Sequence, residues 1–175
     1  TWGIWPFDGS LQLQFDATGL WGATGETTSD AWQLVDLSAY AADLARGQLT
    51  AWASSRFNRV ARDAQTDTQF HIELAAFAGQ PSEFEQQLAA GPIASARTVI
   101  ATDSDPESWQ EATVVFDVPA HADYLAVRIT AHEDVFDDDR YEFDGHYADD
   151  ARLILLAPLD KPSVAGHLPA GVVPQ

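Results

Sequence analysis

The sequence predicts an all-β protein, an antiparallel jelly-roll β-sandwich carrying two short helices. Seven segments alternate apolar and polar residues with a period of two, the mark of half-buried strands. Turn-forming pairs separate them: Asp8-Gly9, Thr18-Gly19, Gly91-Pro92, Asp105-Pro106 and Asp144-Gly145, with Gly25 alone. The 175 residues suit one domain, and a domain near that size buries about 70% of the surface its unfolded chain exposes.

Taken in order, the strands are LQLQF (11–15), WQLVDL (32–37), QLTAWAS (48–54), FHIELAAF (70–77), ATVVFDV (112–118), YLAVRIT (124–130) and RLILL (152–156). Two stretches read as helices instead. SAYAADLAR (38–46) opens at a capping position, Ser38, and stops at Gly47, while SEFEQQLAA (82–90) follows Pro81 and stops at Gly91. Trp32 and Trp109 stand at expected strand starts and read as aromatics closing the core. Val118-Pro119-Ala120 ends one strand and turns into the next. The domain is expected over 1–157, with 1–10 as an N-terminal segment and 158–175 as an extended C-terminal tail. That tail is broken by proline and glycine but keeps Val164, Leu168, Val172 and Val173.

Hydrophobic residues make up 46% of the chain, and six Trp, four Tyr and nine Phe exclude a disordered chain despite a net charge of -18. Nine basic residues, of which Lys161 is the one lysine, face 27 acids. This balance argues against nucleic acid and against anionic membranes, whose phosphates call for a basic face. Cations, neutral sugars or a basic protein surface are the natural partners. Cysteine is absent, which excludes disulfides and thiolate metal sites. No stretch reads as a membrane span. The first residue is Thr1 and not Met, which fits a processed, exported chain, so an extracellular or cell-surface location is expected.

The acids crowd into 133–150, which hold nine carboxylates and one arginine, Arg140. Calcium takes six to eight oxygen ligands, and such a stretch supplies them. The spacing is not that of an EF-hand, because counting from Asp137 and Asp139 puts Glu142 where glycine is needed. A calcium site would therefore draw on several segments, with Asp137, Asp139 and Asp144 among its ligands. A solvated acidic loop compensated by Arg140 and Arg152 is the alternative. The histidines are dispersed and show no zinc spacing, although His146 sits beside Asp144 and Asp149.

The stretches AWQLVDLSAYAADLARGQLTAWASSRFNRV, FHIELAAF, ATDSDPESWQEATVVFDVPAHADYLAVRITAHE and FDGHYADDARLILL resemble the galactose-binding-like β-sandwich superfamily. The similarity is greatest to the F-box-associated sugar-binding domain and its bacterial extracellular relatives, and it runs over about 30–156. The resemblance implies a non-catalytic carbohydrate-recognition module. It also implies a structural calcium between the N-terminal segment and the last strand, held by Asp8 with Asp149 or Asp150.

Aromatics in turn-rich stretches, Trp5, Trp21, Phe57 and Tyr141, could stack on a sugar, with Arg56, Asn58 and His146 for its hydroxyls. The alternative is that Trp2, Trp5 and Trp21 pin the N-terminal segment to the sandwich or to a neighbouring subunit. No serine elbow, cysteine nucleophile or phosphate loop is present, so an enzyme is not expected. Two functions follow as expectations. The first is a calcium-binding, carbohydrate-binding-like extracellular module. The second is a self-assembling filament or surface-layer subunit joined through its apolar termini, its partner another copy of itself.

Overall fold

The computed structural model describes residues 3–15, 28–60, 68–103, 105–132 and 145–158. Within them lie eight strands: β1 (Leu13–Gln14), β2 (Thr28–Asp36), β3 (Thr50–Arg59), β4 (Gln69–Phe77), β5 (Ala94–Ala101), β6 (Gln110–Asp117), β7 (Tyr124–His132) and β8 (His146–Leu156). They form two four-stranded sheets, ordered β1-β8-β3-β6 and β2-β7-β4-β5. Every pairing is antiparallel. The chain crosses between sheets at nearly every connection, which is the jelly-roll winding of a β-sandwich.

Alternation explains what the sandwich encloses. Ala51, Ala53 and Phe57 of β3 meet Phe70, Ile72 and Leu74 of β4 and Leu125, Val127 and Ile129 of β7. The Phe70 ring lies 5.0 Å from Phe57 and 6.0 Å from Phe15. Each large side chain so buried stabilises the fold by about 1.5–3 kcal/mol.

The two expected helices form. Each begins as one 3-10 turn, Ser38–Tyr40 and Pro81–Glu83, and continues as α1 (Ala41–Ala45) and α2 (Phe84–Ala90). Gly47 and Gly91 follow them at positive φ, 63° and 91°. The capping role expected of Ser38 falls to Asp36, whose Oδ1 accepts the Ser38 N–H at 2.7 Å.

Several strands differ from expectation, β2 starting at Thr28 and β3 running on to Arg59 among them. β5 was not expected, because its inward positions are the small or polar Ala94, Ala96 and Thr98, with Ile100 the one large residue. β1 is only two residues long; Phe15 is buried, but Leu11, beyond the pairing, is 83% exposed. β8 starts six residues earlier than the alternation suggests. Asp150 adopts φ 50°, and the register with β3 shifts between Ser54 and Arg56, so a bulge interrupts the period there.

Each sheet has one half of its outer face covered. On β2-β7-β4-β5, α2 covers the end carrying Tyr124 and Phe77. Phe84 lies 5.2 Å from Trp32 and 5.6 Å from Phe77, and the Tyr124 hydroxyl donates to Gln87 Oε1. Trp32 thus packs outside the sheet, under the helix, and not inside the sandwich as expected. On the other sheet the N-terminal segment lies across the outer face. Ile4 is fully buried there with Val60 and Tyr147, and Trp109 packs against this cluster.

Candidate binding surface

The junction between the N-terminal segment and β8 is held by carboxylates. Asp149 Oδ2 accepts the backbone N–H of Phe7 at 2.8 Å and of Asp8 at 3.2 Å, and its Oδ1 accepts that of Asp150 at 2.7 Å. The Arg56 guanidinium lies 3.9 Å over the Phe7 ring. Arg56 also meets Glu111 at 3.0 Å and Asp150 at 3.7 Å, and Arg152 meets Asp150 at 2.7 Å.

These contacts bear on the expected calcium site. The two oxygens of Asp149 face N–H hydrogens and those of Asp150 face guanidinium groups, so positive partial charge already occupies the directions a cation would need. Asp149 and Asp150 thus spend their oxygens on N–H and guanidinium partners in this arrangement. Among the described residues no group of three or more His, Cys, Asp or Glu side chains could hold a metal ion. Asp137, Asp139 and Asp144 lie outside the described residues.

The expected sugar ligands are scattered. Trp5 is 81% exposed, its carbonyl accepting from Trp109 Nε1 at 3.2 Å, and Arg56 is half-buried as above. Phe57 is wholly enclosed in the core, because the pairing with Ala148 turns it inward. Asn58 is also enclosed, its amide donating to Pro106 O at 2.9 Å. His146 is a core histidine, its Nε2 2.8 Å from Thr68 Oγ1 and its ring 5.9 Å from Phe70. Phe57, Asn58 and His146 thus present no surface to a ligand. Trp21 and Tyr141 lie outside the described residues.

A different set of residues converges on the β2-β7-β4-β5 outer face, starting at Trp32 beside α2 and running over the half that no described residue covers. Period-two alternation sends Asp30 and Trp32 of β2, Arg128 and Thr130 of β7, Glu73 and His71 of β4, and Arg97 of β5 to one side. Register then aligns them, Trp32 opposite Arg128, Arg128 opposite Glu73, and Glu73 opposite Arg97. Arg128 donates from Nε and Nη2 to the two Asp30 oxygens at 2.9 and 2.7 Å. Its Nη1 is 3.6 Å from Glu73, and its guanidinium lies 4.9 Å over the Trp32 ring. Thr130 Oγ1 donates to Asp30 Oδ1 at 2.6 Å.

Next to this array the rings of His71 and His132 lie 5.8 Å apart. His71 Nε2 is buried and has no hydrogen-bond partner among the described residues. Burial, then the Arg97 guanidinium, His132 and Arg128, hold the His71 pKa below the usual imidazole value. The ring is therefore kept neutral, with one donor and one acceptor nitrogen. The signal for this array was present in the sequence: His71 and Glu73 are the polar alternates of FHIELAAF, and Arg128 and Thr130 those of YLAVRIT. Alternation alone does not say which strands are neighbours.

No protein-family model matches the chain, and no curated protein shows significant similarity to it. Among the described residues no helix is long and apolar enough to cross a membrane.

Proposed function

We propose that this chain is a non-enzymatic extracellular module that binds carbohydrate on the open half of the β2-β7-β4-β5 face. The observation that carries the reading is the Asp30–Arg128–Glu73 array beside His71, whose buried Nε2 lacks a partner. Sugar hydroxyls both donate and accept, and they are recognised by fixed polar groups of both kinds. Here Asp30 and Glu73 fix the guanidinium and the neutral imidazole adds a further polar group, so little ordering is left to bear on binding. The jelly-roll winding and the resemblance to galactose-binding-like sandwiches support the same reading.

The test is a glycan array probed with the full chain, followed by calorimetry on its strongest ligands. Arg128→Lys removes the fork that engages both Asp30 oxygens, because an ammonium cannot reproduce it. Arg128→Lys and His71→Ala should each weaken binding about tenfold or more, the equivalent of about 1.4 kcal/mol. Absence of any bound glycan, or ligands held equally well by both variants, removes this function.

A further inference from the structure

Among the described residues nothing covers the other half of the β1-β8-β3-β6 outer face, and an apolar row crosses it between the Thr50–Asp117 pair and Arg152. Trp52 of β3 is flanked in register by Val115 of β6 and Ile154 of β8. Val115 is 60% exposed, Ile154 47%, and Leu156, two residues further along β8, 53%; Trp52 is half-buried. Val115, Trp52 and Ile154 form a continuous row across β6, β3 and β8, from the edge strand inward. A contiguous exposed apolar surface of this kind marks an interaction site.

The covered half of the same face shows what kind of element fits. There an extended terminal segment lies flat on the sheet, with Ile4 wholly buried between Val60 and Tyr147. The chain provides a second segment of matching chemistry. Residues 159–175 carry Leu159, Val164, Leu168, Val172 and Val173 but only one acid, Asp160, and one base, Lys161. In a chain of net charge -18 this near-neutral apolar stretch is the part least repelled by another copy.

We infer that the Val115–Trp52–Ile154 row is a docking surface for residues 159–175 of a second copy of this chain. The path of the chain favours a second copy over the same one. β8 runs along the face and leaves it at Leu156, and Pro158 disfavours a helical turn at Ala157, so the chain departs along the direction of the strand and not back over the face. Seventeen residues in extended form span about 55 Å, enough to reach a neighbour's face. Because donor segment and acceptor face are different surfaces, the contact is head-to-tail. It propagates as a filament unless the rotation between copies closes a ring.

The test is sedimentation velocity on the full chain over a concentration series at low and high salt. Assembly should grow with concentration and strengthen with salt, since screening relieves the repulsion between acidic copies. Ile154→Asp and Val115→Asp, at exposed positions that leave the core untouched, should each weaken assembly about tenfold or more. A synthetic peptide of residues 159–175 added in excess should dissolve the assemblies of the unaltered chain. A full chain that stays monomeric at its highest soluble concentration overturns the inference. So does an Ile154→Asp chain that assembles as before, or an assembly indifferent to the peptide. Circular dichroism of the variants checks that they fold. Glycan binding at Arg128 should survive Ile154→Asp, so this idea and the carbohydrate reading fail separately.

Discussion

Asp149 Oδ2 accepts the backbone N–H of Phe7 at 2.8 Å, across 142 positions of sequence. The bond ties the N-terminal segment to the last strand, with Asp8 adding a second N–H at 3.2 Å. Asp149→Ala leaves both donors to water and releases the segment that covers Tyr147 and Val60. The expected cost is about 1–3 kcal/mol, the usual penalty for removing a charged acceptor from its donors. Urea unfolding measures it, and limited proteolysis should show earlier cleavage near residues 5–12. A variant as stable and as protease-resistant as the parent would remove the latch.

Asp150 separates the electrostatic reading of this junction from a cationic one. Its carboxylate is answered by Arg152 at 2.7 Å and by Arg56 at 3.7 Å. Asp150→Asn keeps a residue that tolerates φ 50° and removes only the charge. The loss should be about 0.2–1 kcal/mol, since Arg152 is largely exposed. It should be the same in millimolar calcium and in chelator. A loss that appears only with calcium would assign Asp150 to a metal site, in line with what the sequence resemblance implies and against the contacts described above.

Gly145 shows how tightly the start of β8 is built. Its φ is 90°, and a Cβ there would lie 2.5 Å from Val60 Cγ2. Gly145→Ala should therefore cost about 1–3 kcal/mol through strain and overlap together. Adding Val60→Ala relieves the overlap but not the backbone, so the double variant should be less destabilised than the sum of the single ones. Thermal unfolding of the four proteins in this cycle decides it; strict additivity would mean that the overlap is absent.

The fold was legible where large apolar residues alternate with polar ones, as in FHIELAAF, and where proline and glycine bracket a helix, as in SEFEQQLAA. It was not legible in β5, where Ala94 and Ala96 face inward without a hydrophobic signal, nor at the bulge of Asp150, which breaks the period. The binding surface was less legible still. Phe57 and Asn58 read as turn residues able to meet a sugar, yet β3 continues through them to Arg59 and encloses both. Asp30, Glu73 and Arg128 come from three strands, with Asp30 and Arg128 98 positions apart in sequence. Only the order β2-β7-β4 makes them neighbours, and one sequence does not specify that order.

His71 faces Arg97 on β5, Asp30 on β2, Glu73 on its own strand, and Arg128 and His132 on β7. Burial, then Arg97, His132 and Arg128, outweigh the attraction of Asp30, so the folded-state pKa lies below the value of 6.5 for a free imidazole. Between those two values the unfolded chain binds more protons than the folded one, and stability must rise with pH across that interval. The stability His71 contributes is thus fully present above 6.5 and is lost as pH falls through the folded-state value. Urea unfolding at a series of pH values from about 7.5 down to 5 should show stability falling, and His71→Gln, which cannot be protonated in this range, should flatten that slope. Identical slopes in the two proteins would mean that the other carboxylates and histidines set the pH response and that His71 titrates as it does in water.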